Sequence, residues 1–108
     1  MGVKRRPEER QVPHYVLLMN WTDQGVKNFR DSVDRADAAR AALAARGIDL
    51  KDIYWTIGGY DLVCVAEAPD DALLSAALLA LGAQGNLRTT TLRAFTGDEF
   101  RSVIETAG

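Results

Sequence analysis

The chain has 108 residues, 47% of them apolar and 26% charged, with 13 Lys and Arg against 15 Asp and Glu for a formal net charge of −2. That length fits one domain and excludes two, and the composition excludes a disordered or collagen-like chain. The lack of a basic excess argues against a nucleic-acid partner.

Single occurrences restrict the chemistry further. Cys64 is the lone cysteine and cannot close an intrachain disulfide, which points to a reducing, cytoplasmic setting. His14 is the lone histidine, so sites needing two imidazoles from one chain are excluded. No cofactor is expected, and a metal site would have to be carboxylate-only or shared between subunits. The apolar runs around Val63 and Leu78 fall far short of the ~20 residues of a membrane span, so no membrane association is expected. Residues 1–13 are charged throughout, lack a signal-peptide core and read as a flexible tail.

From His14 to Asn20 the sequence HYVLLMN reads as a buried first strand. Between Gln24 and Arg46, Val26, Phe29, Val33, Ala36, Ala39 and Leu43 recur at helical spacing, and Asp31-Ser32 offers a point where a short turn gives way to a longer helix. Gly47 ends it. Alternation of Ile53, Trp55 and Ile57 marks a second strand beginning near Ile48 or Leu50. Gly58-Gly59 then reads as a two-residue hairpin loop leading into a third strand at 60–67.

Pro69-Asp70-Asp71 opens a second helix, closed by Gly82 or Gly85, whose leucines cover more than one narrow stripe. Leu87 to Phe95 reads as a fourth strand. Thr96 to Glu99 fits a capping box for a short terminal helix carrying Phe100, Val103 and Ile104. The order β-α-β-β-α-β predicts a ferredoxin-like α+β domain over 14–108, a four-stranded antiparallel sheet with two helices on one face. Strand residues of both parities are apolar, Val16 beside Leu17 and Leu62 beside Val63. The uncovered face therefore calls for a partner, most simply a second copy in a homodimer or higher homo-oligomer.

Three phrases, VLLMNWTDQG at 16–25, YWTIGGYDLV at 54–63 and NLRTTTLRAF at 86–95, resemble the GYD domain family, named for the triplet found here as Gly59-Tyr60-Asp61. The resemblance spans about Tyr15 to Phe100. It implies the dimeric α/β-barrel superfamily, in which two ferredoxin-like chains associate through their sheets. That superfamily holds cofactor-free monooxygenases, isomerase-like enzymes, haem proteins and effector-sensing domains, so the resemblance implies a fold and no settled activity.

The expected binding set is Trp55, Tyr60, Asp61, Thr91 and Arg93, lining a cleft on the inner sheet face for a small organic, in one reading anionic, molecule, with Arg93 as anchor and Asp61 orienting. Beside each stands a structural reading. Trp55 fills a core, Asp61 pairs with an arginine, Arg88 or Arg93 joins Asp61 or Glu67, and Cys64 is a small buried hydrophobe. A second function hypothesis is a cofactor-free oxygenase or isomerase with Asp61 or His14 as general base. A third is an assembly or interaction protein without a ligand.

Overall fold

In a computed structural model, residues 12–108 are described; the tail expected over 1–13 lies outside them except for its last two residues. The elements run β1 (His14–Trp21), α1 (Asp23–Lys27), a 3-10 turn (Phe29–Asp31), α2 (Ser32–Ala45), β2 (Asp49–Trp55), β3 (Leu62–Glu67), α3 (Asp71–Gly82), β4 (Leu87–Ala94) and α4 (Gly97–Ala107). The four strands form one antiparallel sheet in the order β2-β3-β1-β4. This is the ferredoxin-like α+β fold expected from the order of elements.

Register decides which side chains share a face. Tyr15, Leu17 and Met19 pair with Ala66, Cys64 and Leu62 on one side and with Arg93, Thr91 and Thr89 on the other. With Leu50, Ile48, Leu43, Leu74 and Ala77, the residues of β1 and β3 in these pairs build the core beneath the helices, while Thr91 and Arg93 of β4 stay exposed. The opposite parity, including Val16, Leu18, Val63 and Val65, is only partly buried, and Tyr54 and Leu92 on that face are 61% and 46% exposed. The expected uncovered apolar face is therefore present.

Local chemistry accounts for the boundaries. Thr22 caps α1 by accepting from the Gly25 N–H, Asp70 caps α3 by accepting from the Leu73 N–H at 2.7 Å, and Thr96 with Glu99 forms the expected capping box on α4. The register of β2 shifts between Leu50 and Asp52, and Arg40 spans the irregularity by donating to the carbonyls of Leu50 and Lys51 at 2.9 and 3.0 Å. Tyr15 on β1 donates its hydroxyl to Asp71 in the first turn of α3, fixing that helix to the sheet.

Two expectations are corrected. The β2–β3 connection is not a two-residue turn, because β2 ends at Trp55 and β3 starts at Leu62. The Thr56 N–H donates to the Asp61 carbonyl at 2.8 Å and the Thr56 hydroxyl to the Tyr60 carbonyl at 2.6 Å, closing a wider loop in which Gly58 takes a φ of 118°. Over 24–46 the expected break at Asp31-Ser32 is present as the 3-10 turn, but the apolar stripe before it is not a buried face. Leu43 is buried, while Val26, Phe29 and Val33 are 47%, 53% and 57% exposed.

Candidate functional site

The loop carrying Gly59-Tyr60-Asp61 is tied to the end of β1. Asn20 donates to the Gly59 carbonyl, the Asp61 N–H to the Met19 carbonyl, and the Asp61 carboxylate accepts from the Trp21 N–H, each at 2.9 Å. Asp61 thus takes a main-chain partner where an arginine was expected. Arg93 donates to the carbonyls of His14 and Ala94, and its guanidinium lies 5.5 Å from the Tyr15 ring centre and 4.7 Å from that of Phe95. Glu67, the other expected arginine partner, instead meets His14 at 3.3 Å and Lys51 at 3.9 Å.

The expected cleft on the inner sheet face is not formed by its expected residues. Trp55, Thr91 and Arg93 follow the parity of the helix-covered face, and Tyr60 and Asp61 sit in the loop. Trp55 donates its indole N–H to Ser32 at the start of α2 at 2.9 Å, but at 41% exposure it does not fill the core as its structural reading had it. His14 and Asp61 stand at opposite ends of β1, roughly 20 Å apart by strand rise. They do not share a site as acid and base. Cys64 is buried, and its thiol is pushed up to about 11 by desolvation, with Arg40 opposing, so it is no ready nucleophile.

The larger concavity lies elsewhere, between α3, β4 and the corner that joins β1 to α1. It is an open groove of about 1070 Å³ with apolar surface from Trp21, Leu78, Leu79 and Leu87 and polar groups from Thr22, Gln24, Ser75, Arg88, Thr89 and Thr91. Of the expected binding set only Thr91 lines it. Trp21 also borders a smaller space of about 40 Å³ beside Ser32, Arg35 and Gln84, and its buried indole N–H has no hydrogen-bond partner.

The corner is built to close tolerances. The Thr22 N–H donates to the Asn86 carbonyl at 3.1 Å, the Thr22 hydroxyl to the Gly85 carbonyl at 2.5 Å, and Gln24 reaches Gln84 and Asn86 at 3.0 Å. At Gly25 a Cβ would stand 2.1 Å from the Asn86 carbonyl oxygen, so glycine alone permits this approach. The first strand predicted from the sequence stops at Asn20, and Trp21 is absent from the expected binding set. The signal was present in β1, because the alternation Tyr15, Leu17, Met19 extended by one step puts Trp21 on the helix-covered face.

Among known families, the GYD domain matches residues 15–104. A protein of Thermus thermophilus named as a glutamine synthetase and cystathionine beta-lyase binding protein is 31% identical over 84 residues, which cover 77% of this chain and 88% of that protein. The crystal structure of MtbAldR has the same fold, with a TM-score of 0.63 at 15% identity over 88% of this chain; the match covers 60% of the length of that chain.

Proposed function

As the chain belongs to the GYD domain family, we propose that it works as a homodimeric binding protein, two copies paired through their open sheet faces and each holding a small organic molecule in the groove between α3 and β4. The groove carries this reading, since it joins apolar walls to a few hydroxyls, the Arg88 cation and the Asp23 carboxylate, the composition of a ligand site. Arg88, whose pairing with Asn20 gives it the parity of the open face, borders the groove and is the one cation among its lining residues, the group able to meet an anionic substituent at that rim. The sheet pairing rests on the apolar open face of Val16, Leu18, Val63, Val65 and Leu92.

Native mass spectrometry together with two-dimensional NMR tests it. The expected result is a dimeric mass, and small aromatic and carboxylate fragments that shift the Trp21 indole N–H, Leu78 and Thr89 signals. Leu78→Trp, which fills the groove, removes those shifts. Fragment responses confined to surfaces outside the groove, or unchanged by Leu78→Trp, overturn the ligand reading.

A second reading is a protein partner, favoured by the name of the Thermus thermophilus relative and by the exposed Val26, Phe29, Val33 and Ile57. Titration calorimetry of the chain against the glutamine synthetase and the cystathionine beta-lyase of its own organism tests it. Saturable binding weakened by Phe29→Ser supports it, and no heat with either enzyme removes it.

A further inference from the structure

One strand supplies both a wall of the groove and an open margin of the sheet. β4 lies last in the order β2-β3-β1-β4, and among the described residues no strand pairs with its outer side. The Thr22 N–H donates to the carbonyl of Asn86, the residue opposite it, so Asn86 turns its main-chain groups toward β1. By alternation Arg88, Thr90 and Leu92 face β1 as well, while Leu87, Thr89 and Thr91 turn their N–H and C=O groups outward. The side chains of these same three residues line the groove, across from Ser75, Leu78 and Leu79 of α3. Unpaired main-chain groups and apolar walls thus run together along about 14 Å of one strand.

Spacing and charge identify what fits. The outward donors and acceptors recur every second residue, about 6.8 Å, a repeat that another extended chain matches. A peptide laid antiparallel on β4 sends alternate side chains toward the groove wall, where Leu79 is 75% exposed. Its remaining side chains fall on the open face beside Arg88, which has no ion-pair partner among the described residues. The chain's own segments match poorly. A second β4 would set Thr89, Thr91 and Arg93 against the leucines, and β2 carries an irregular register. Residues 1–11 offer no three apolar residues at alternate positions, and six of the eleven are charged.

We propose that the groove receives an extended segment of another protein, about five residues that add a strand to β4, with apolar side chains at the first, third and fifth positions and a carboxylate opposite Arg88. The inference rests on the reading of the groove as a ligand site and names the class of its ligand. The probe is acetyl-Val-Thr-Val-Glu-Val-amide, followed by two-dimensional NMR on the 15N-labelled full chain. In the free chain the amides of Thr89 and Thr91 are expected to exchange with deuterium at least about 100-fold faster than those of Thr90 and Leu92. Saturating probe slows the two outward amides at least about 10-fold and shifts the Leu79 signal.

Methylating the central valine nitrogen of the probe is expected to weaken binding at least about 10-fold. Thr89→Pro does the same, because it removes an outward N–H and no bond to β1. Arg88→Glu weakens the probe and binds its Glu-to-Lys form more tightly. Circular dichroism reports that the variants are folded, and the methylated probe serves if Thr89→Pro is not. Equal affinity for methylated and parent probes, or a response to the fragments above with none to the probe, overturns the added strand and leaves the ligand site standing. No response to either overturns both. Outward amides already slow in the free chain also overturn the proposal: recovery of fast exchange in a chain starting at Val12 assigns the margin to residues 1–11, and recovery on dilution assigns it to a second copy.

Discussion

The carboxylate of Asp61 accepts a hydrogen bond from the main-chain N–H of Trp21 at 2.9 Å. The third residue of the Gly-Tyr-Asp triplet thus satisfies a backbone donor where β1 runs out, and Asn20 does the same for the Gly59 carbonyl. The triplet is a clamp between two phrases of the sequence, and the groove-lining indole of Trp21 is what it holds in place.

Asp61→Ala is therefore expected to lower stability by about 1 to 2 kcal/mol, the cost of a lost charged hydrogen bond and a stranded N–H, with Asp61→Asn costing less. Urea denaturation checks the order. Equal loss in both variants would remove the clamp role.

Gly25→Ala is expected to destabilise by roughly 2 to 4 kcal/mol, since the new methyl collides with main chain that cannot turn aside. Thermal unfolding reads the loss. Amide shifts should concentrate at Thr22, Gln24 and Asn86, the corner that walls the groove.

Tyr15 gives a defined alkaline response. Burial first, then its hydrogen bond to Asp71, raises its phenol from 10.0 to about 12, so the native state favours the neutral form more than the unfolded state does. This contribution, about 2 to 3 kcal/mol at most, is whole below pH 10 and is lost between pH 10 and about 12. Urea midpoints at pH 8 and 11 should fall more for the wild-type chain than for Tyr15→Phe, which has no phenol to ionise.

Cys64 should resist alkylation. With its thiol pushed up to about 11 by burial, iodoacetamide at pH 8 is expected to modify the native chain at least about 100-fold more slowly than the unfolded chain. Comparable rates would mean that β3 opens readily.

Much of the fold was legible because its signals are local. The box at Thr96 and Glu99, the cap ahead of α3 and the break near Asp31-Ser32 each depend on a few neighbouring residues, and each is present in the structure. The groove was not legible in that way. It is assembled from β1, α3 and β4, and the Gly25–Asn86 approach that closes its corner joins residues 61 positions apart. Trp55 and Arg93 stand out in the sequence as a large aromatic group and a cation on apolar strands. Their demands are met inside the domain, by Ser32 for one and by carbonyls and the rings of Tyr15 and Phe95 for the other.

The two margins of the sheet are unequal. β2 ends one side with an irregular register, with Lys51 and Asp52 set at the irregularity, which makes a poor template for another strand. β4 ends the other side with eight residues in unbroken register with β1, and among the described residues no strand faces its outward N–H and C=O groups. Its defence against self-templated growth is the charge of Arg88 and Arg93. Colloidal solubility should therefore depend far more on these two arginines than on the other eleven of the 13 Lys and Arg residues, and neutralising them would turn the margin of the sheet into a nucleus for edge-to-edge fibrils.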